Sequence, residues 1–236
     1  MTRPDGRKND ELRPVTLTPD YVIFPEGSVL LEMGQTKVLC NVTIEKGVPR
    51  WMQLQQRPGG WITAEYALLP RSTQVRSQRE THGLGGRTQE IRRMIGRSLR
   101  ASVDLEQLGE HTLIVDCDVI QADGGTRSAA ITGGYVALRL ALQKLVDSGV
   151  LSSDIFLPPV AAVSVGILDQ QPLLDLCYAE DAVADVDVNV VMNARGEFID
   201  IQGTAEGSPF KRNLFDDLLN LAEKGIKELL QHQQKI

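Results

Sequence analysis

The chain has 236 residues, of which 42% are hydrophobic and 24% are charged, and it carries a formal net charge of −6. This composition supports a large buried core and excludes a fibrous or intrinsically disordered protein. The first ten residues are polar, and the longest mostly apolar run, 155–168, is short and interrupted by prolines. The sequence therefore predicts a cytoplasmic protein without a membrane partner.

The first third of the chain has the alternation and the turn residues that are typical of β structure. Strands are predicted at 15–18, 28–32, 36–45 and 61–69. The intervening stretch 46–60 contains three glycines and two prolines, so a loop is expected there.

Two helices are predicted in the middle of the chain, and each follows a pair of glycines. The first begins near Thr88, where apolar residues recur at helical spacing, and the second covers 128–148, which is rich in alanine and leucine. A strand at 112–122 separates them, with Asp116 and Asp118 alternating with apolar residues.

The second half of the chain returns to β structure and ends in an amphipathic helix at 213–231. Strands are predicted at 160–168, 172–178, 183–192 and 198–202. This order of elements predicts an α+β fold in which helices pack on mixed β-sheets. Because no long linker divides the chain, residues 1–236 are predicted to form a single domain.

Three cysteines, Cys40, Cys117 and Cys177, lie within apolar stretches and form no CxxC pair. Buried, reduced thiols are therefore expected, in preference to a disulfide or a zinc site.

Arginine is concentrated in one segment of an otherwise acidic chain. Residues 71–100 contain eight arginines and two acids, a net charge of +6, so the rest of the chain carries −12. The guanidinium fork matches phosphate oxygens two at a time, which favours a polyanionic partner. Arg93, Arg97 and Arg100 share one face of the predicted helix and would present a row of guanidinium groups. The alternative is a solvated helix face with salt bridges.

Two glycine turns each bring an arginine and a threonine to the start of a predicted helix. One is Gly124-Gly125-Thr126-Arg127 and the other is Gly85-Gly86-Arg87-Thr88. Glycine allows a close approach of the backbone, and a helix N-terminus offers free N–H groups to an anion. A phosphate pocket is one interpretation, and an ordinary strand-to-helix turn is the other. No Walker-type loop is present, which disfavours nucleotide triphosphate hydrolysis.

An acidic run at 180–189 precedes and enters a predicted strand. Along a strand, Asp185, Asp187 and Asn189 point to one face, where oxygen ligands suit Mg²⁺ or Mn²⁺. A solvated strand face is the alternative. If the chain were extended, Asp181 and Asp187 would be roughly 20 Å apart, so a shared site requires a bend near 182–184.

Several separate stretches follow the order found in one known family. They are 3–7, 65–66 with 69–72, 86–88, 97–100, 115–119, 121–127, 189–192 and 202–207. Together they resemble ribonuclease PH over about residues 2–230. The resemblance implies a fold like the second domain of ribosomal protein S5. It also implies a phosphorolytic 3′→5′ exoribonuclease that releases nucleoside diphosphates and works in reverse as a nucleotidyltransferase.

The resemblance also assigns roles to particular residues. The co-substrate, inorganic phosphate, would be bound by Arg87, Gly125, Thr126 and Arg127. Asp181 and Asp187, acting with Arg127 in catalysis, would hold a divalent metal, Mg²⁺ or Mn²⁺, or assist the leaving group. RNA would be gripped by Arg71, Arg76 and Arg79, to which we add Arg93 and Arg97 of the arginine face.

The partners implied are RNA, transfer RNA 3′ ends in particular, and five further copies of the chain in a hexamer built as a trimer of dimers. Residues 52–60 and 210–214 depart from the family's pattern. Two other functions compete with this one: a non-catalytic, RNA-binding ring subunit of an exosome-like assembly, and a small-molecule enzyme such as a kinase. The first would lack the arginines or aspartates found here, and the second would need a nucleotide-phosphate loop.

Overall fold

The computed structural model describes residues 3–236, in which helices are interspersed among runs of one to three strands. Its strands are β1 Val15–Pro19, β2 Gly27–Met33, β3 Thr36–Lys46, β4 Trp61–Leu68, β5 His111–Gln121, β6 Val160–Leu168, β7 Gln171–Leu174, β8 Val186–Asn193 and β9 Phe198–Ala205. Its α-helices are α1 Arg50–Leu54, α2 Gly86–Arg100, α3 Thr126–Asp147, α4 Tyr178–Asp181 and α5 Arg212–Gln233, and a 3₁₀ turn covers Ser153–Ile155.

The strands form two sheets. The first has the order β1-β2-β3-β5-β4 and the second has the order β7-β6-β8-β9. Strand β4 runs parallel to β5, because the chain crosses over through α2 between them, and the other pairings are antiparallel. The predicted class, α+β with helices on mixed sheets, is confirmed.

Helix α3 is the centre of the core, since it packs against β2, β3 and β5 of the first sheet and against β6 and β8 of the second. Small residues permit this close packing. A Cβ atom on Gly27 of β2 would overlap the carbonyl group of Ala137. The hydrophobic core continues from one sheet to the other, which supports the prediction of a single domain. That prediction remains a proposal.

Two element boundaries differ from the sequence-based expectation. The loop expected at 46–60 contains α1, which forms because Met52 is buried and Trp51 packs edge-on against Trp61, with ring centroids 4.9 Å apart. The strand expected at 172–178 stops at Leu174, because Asp175 adopts a left-handed backbone conformation with φ of +56°. The chain turns there and enters α4.

The three cysteines are buried and free, as predicted. Between residues 3 and 236, none of the helices combines the length and the apolar character that crossing a membrane would require.

Candidate active site

The first part of the site is the turn between β5 and α3. Gly124 and Gly125 both have positive φ angles, of +75° and +64°. A Cβ on Gly124 would lie 2.6 Å from the carbonyl oxygen of Leu176, so the turn sits directly on the chain that leads into α4. No side chain caps the start of α3. Its first N–H groups are therefore available to an anion.

Tyr66 of β4 meets this turn from the first sheet. Its hydroxyl shares a hydrogen bond of 2.8 Å with the Thr126 hydroxyl, and its ring is buried. Burial raises the pKa of the Tyr66 phenol, whereas the positive charges of Arg87 and Arg127 act in the opposite direction. Both arginines therefore lie within electrostatic reach of the same hydroxyl pair. The two glycine turns converge on one location.

Arg87 arrives there from the first turn of α2, just as Arg127 arrives from the first turn of α3. Helix α2 also begins without a side-chain cap. Two helix N-termini and two guanidinium groups thus surround one space, an arrangement that favours a bound anion.

The acidic pair faces the same space. Asp181 ends α4, the chain then turns through 182–185, and Asp187 follows in β8. This is the bend that a shared site requires. Asn189 donates a 3.4 Å hydrogen bond to Asp187 Oδ2, and its own Oδ1 accepts one of 3.2 Å from Ser128. The predicted face of β8 therefore packs on the start of α3, and the alternative of a solvated face is wrong for Asp187 and Asn189.

The surroundings disfavour negative charge on both carboxyl groups. Burial raises the pKa of Asp187 to about 6, with a further contribution from Asp181, while Arg127 and Arg87 oppose the shift. Partial desolvation raises the pKa of Asp181, whose side chain still reaches solvent, and the same two arginines oppose it. The four charged groups are therefore mutually close.

Among the described residues, Asp187 Oδ1 is buried and has no hydrogen-bond partner. An orphaned carboxylate oxygen beside a second carboxylate is a suitable ligand set for a hard divalent cation. No group of three or more His, Cys, Asp or Glu side chains within 3–236 is arranged to hold a metal. Mg²⁺ is nevertheless often bound by only two protein carboxylates, with water molecules and substrate phosphates as its other ligands.

Replacing the charge at Asp187 should stabilise the metal-free protein. The pKa of this group is about 6 in the folded chain and 3.8 in the reference state, so the folded state binds the proton more tightly. Stability is therefore lost as the pH rises from about 4 through 6. We expect Asp187→Asn to raise the free energy of unfolding at pH 8 by about 1–3 kcal/mol. The gain should be small near pH 4.

Thermal unfolding in the presence of a chelator, compared at pH 4, 6 and 8, measures this difference. Asp185→Asn, at an exposed position two residues earlier, is the control and should show no such pH dependence. A stabilisation by Asp187→Asn that is equal at all three pH values would contradict the assignment of a raised pKa to this carboxyl.

The arginines predicted to grip RNA fall into two groups. Arg71, Arg76 and Arg79 are exposed in the irregular segment between β4 and α2. Burial raises the pKa of Asp118, and the positive charge of Arg79 acts in the opposite direction. Arg79 also lines a cleft of about 460 Å³, together with Arg87 and Tyr66. This segment thus leads along the cleft to Arg87.

The row expected on α2 is only partly free. Arg93 is exposed, but Arg97 forms an ion pair with Asp200 of β9. Arg100 lies over the Trp61 ring, 4.3 Å from its centroid, and donates to the Ile62 carbonyl oxygen at 2.9 Å. The salt-bridged alternative therefore describes part of this face, because β4 and β9 supply partners that the local sequence does not contain.

Two family models match the chain. The 3′ exoribonuclease family, domain 1, matches residues 11–142, and domain 2 of the same family matches residues 158–225. The chain belongs to the 3′ exoribonuclease family. Its members include ribonuclease PH of Dehalococcoides mccartyi strain CBDB1, 54% identical over 100% of this chain and 98% of that protein. Ribonuclease PH of Corynebacterium efficiens is 55% identical over 100% of this chain and 96% of that protein.

Solved structures of low sequence identity share the fold. Rice (Oryza sativa) Rrp46 superposes with a TM-score of 0.79 at 18% identity, covering 98% of each chain. A chain of the Archaeoglobus fulgidus exosome with RNA bound to the active site gives 0.79 at 24% identity, covering 97% of this chain and 91% of that one. The predicted fold, like the second domain of ribosomal protein S5, is confirmed.

The activity predicted from the sequence, a phosphate-dependent 3′→5′ exoribonuclease and nucleotidyltransferase, is also confirmed by membership of this family. The two competing functions are left without support. Sequence reasoning gave no role to Tyr66, whose hydroxyl bonds to Thr126, and placed Asn189 on the face of Asp187 without its hydrogen bond to that carboxyl group. Their signal was present, since both lie in stretches that carry the family resemblance.

Proposed function

We propose that this site cleaves the last phosphodiester bond of an RNA with inorganic phosphate held between Arg87, Thr126 and Arg127 and the backbone of Gly125. The convergence of two uncapped helix N-termini and two arginines on one carboxylate pair is the observation that carries the proposal. A pocket of this kind binds an anion and places it beside the carboxylate pair.

In the proposed reaction, an oxygen of the bound phosphate attacks the phosphorus atom of the terminal nucleotide. A new P–O–P bond forms, and the bond between that phosphorus and the 3′ oxygen of the preceding nucleotide breaks. The 3′ oxygen takes up a proton, and the products are a nucleoside diphosphate and an RNA shortened by one residue. Arg87 and Arg127 stabilise the charge that builds on the equatorial oxygens.

Asp181 and Asp187 are the residues that would hold Mg²⁺ or Mn²⁺. Such a cation would supply positive charge that stabilises the negative charge developing in the transition state. In the metal-free site, the raised pKa of Asp187, about 6, also suits this carboxyl to assist the leaving group with a proton. Asn189 and Ser128 fix the orientation of Asp187 by the hydrogen bonds described above.

RNA, with transfer RNA 3′ ends as the proposed class, would reach the pocket along Arg71, Arg76 and Arg79, with Arg93 and Arg97 as outer contacts. Arg97 would remain paired with Asp200 unless RNA displaces it. These contacts are to backbone phosphates, so binding should weaken steeply with salt and depend little on sequence.

The proposed assembly is a hexameric ring, a trimer of dimers, located in the cytoplasm. Two of the solved structures that share the fold are described as an exosome with RNA bound to the active site and an archaeal exosome core. They support a ring for this chain through the shared fold.

Inorganic phosphate should stabilise the folded protein in the absence of RNA, because binding to the folded state alone raises the unfolding temperature. We expect a rise of a few degrees at millimolar phosphate, and we expect Arg87→Ala and Arg127→Ala to abolish it. Chloride at equal ionic strength is the control for salt effects. An equal rise in both variants and the parent protein would place the phosphate elsewhere.

A further inference from the structure

The segment before β1, residues 3–14, is neither helix nor strand, yet it is tied to the second half of the chain by three arginines. Arg3, Arg7 and Arg13 all contact the turn that follows β7. This turn contains Asp175 and leads into α4 and Asp181. The N-terminal segment therefore lies against the part of the chain that presents the acidic pair.

Arg13 makes the most extensive set of contacts. It is 3% exposed and grips the Asp175 carboxylate with Nε at 3.0 Å and Nη2 at 2.6 Å, while its backbone N–H donates to Asp175 Oδ2 at 2.8 Å. On its other side, Nη1 donates to the Asp123 carbonyl oxygen at 2.5 Å and Nη2 reaches that of Gly124 at 3.4 Å. One guanidinium group thus joins the turn before α4 to the glycine turn before α3.

Direct contacts between the two turns reinforce this junction. The Asp123 carboxylate accepts a 3.3 Å hydrogen bond from the Tyr178 backbone N–H at the start of α4. A Cβ on Gly125 would lie 2.9 Å from Arg13 Nη2, so the guanidinium group sits immediately beneath the residue that precedes α3. Arg13 therefore lies at the junction between the turn that leads to Arg127 and the turn that leads to Asp181.

Arg3 secures the other end of the same short helix. Its Nε and Nη2 each donate to the Glu180 carboxylate at 2.7 Å, and Nη1 donates to the Leu174 carbonyl oxygen at 2.9 Å. Glu180 also accepts from the Cys177 backbone N–H at 3.0 Å. Since Glu180 directly precedes Asp181, this end of α4 is fixed to the N-terminal segment.

We propose that Arg13, through its bidentate pair with Asp175, is a positioning residue that holds the phosphate-binding turn and the acidic pair at their working separation. This inference rests on the proposed function of the two groups. A buried ion pair is a weak source of net stability, because desolvation offsets much of the attraction. Its value here is geometric, since phosphate transfer depends on alignment and a misplacement of about 1 Å can lower the rate about 100-fold.

Asp175→Asn is the sharpest test. Asparagine has nearly the same volume and tolerates the left-handed backbone found at this position, but it cannot form the ion pair. Arg13→Lys keeps the charge but, with one ammonium group, cannot hold Asp175 and the two carbonyl oxygens together. Asp10→Asn is the matched control. Asp10 lies in the same N-terminal segment, and its substitution breaks an exposed ion pair of 2.6 Å with Lys224 of α5.

The first readout is kinetic and is made on protein shown to be folded at the assay temperature. We expect Asp175→Asn to lower kcat per folded site about 100-fold and to raise the KM for phosphate, with the affinity for RNA within a factor of two. Arg13→Lys should keep more of the parent kcat than Asp175→Asn does. Asp10→Asn should behave as the parent protein. If the loss of activity follows only the unfolded fraction, or if folded Asp175→Asn keeps the parent kcat, the positioning role is overturned.

The second readout does not require turnover. We expect hydrogen–deuterium exchange to accelerate in the peptides that cover 123–127 and 175–181 together in Asp175→Asn, and in neither for Asp10→Asn. Acceleration at 175–181 alone would mean that the two turns are not joined through Arg13. If the parent protein shows no phosphate-dependent cleavage, the proposed function fails, while this exchange result still decides whether the two turns are coupled.

Discussion

Arg127→Ala is expected to lower the rate of phosphorolysis about 1,000-fold while leaving RNA affinity within about threefold of the parent protein. Arg127 lies in the first turn of α3 beside Thr126, close to Arg87 and to both carboxylates. It would grip the attacking phosphate and stabilise the equatorial oxygens in the transition state. Arginines in comparable positions of phosphoryl-transfer sites contribute about 10³–10⁵ in rate.

Single-turnover cleavage of a short RNA, combined with a separate binding titration, measures both quantities. Arg212→Ala is the matched control, because Arg212 is exposed on α5 and pairs only at the surface with Asp216. The control should keep both cleavage and binding. Equal losses of cleavage and RNA affinity in Arg127→Ala would show that this residue holds the RNA strand rather than the attacking phosphate.

Asp187→Asn is expected to lower the rate by about 10²–10³-fold at saturating Mg²⁺. The substitution removes the charge of the carboxylate whose Oδ1 has no partner among the described residues, and so removes a cation ligand from the site. The same variant should be more stable than the parent protein at pH 8. Lost activity together with gained stability is the pattern expected where a functional site holds an unfavourable charge.

Activity as a function of Mg²⁺ concentration, with Asp185→Asn as the control, checks this prediction. Asp185 is exposed and belongs to the same acidic run, so its substitution changes the net charge equally without touching the pair. The control should keep the parent response to Mg²⁺. Full activity of Asp187→Asn with an unchanged metal requirement would rule out Asp187 as a metal-holding residue.

Much of the fold follows from local sequence patterns. The continuous apolar run of β6 matches its predicted bounds, and the alanine-rich α3 begins two residues before its predicted start. Each of these elements forms because its own side chains are buried, and the pattern of apolar residues in the sequence indicates that burial. The glycine turn before α3 was likewise visible, because positive φ angles at Gly124 and Gly125 require the residue type found there.

The remaining features depend on partners that lie far away in the sequence. Strand β7 ends early because Arg13, 162 residues away, holds Asp175 in a turn. Part of the arginine face of α2 is occupied because β9 brings Asp200 to Arg97. Local patterns do not identify such partners. The sequence could therefore suggest that Arg87, Arg127 and the acidic pair converge, but only the structure shows it.

The most direct test of phosphorolysis is to incubate the protein and Mg²⁺ with a short 3′-tailed RNA, with and without inorganic phosphate, and to identify the mononucleotide products by mass. The account predicts nucleoside diphosphates that form only when phosphate is present, with ¹⁸O from labelled phosphate in their terminal phosphoryl group. Nucleoside monophosphates released without phosphate would identify water as the attacking group and contradict it.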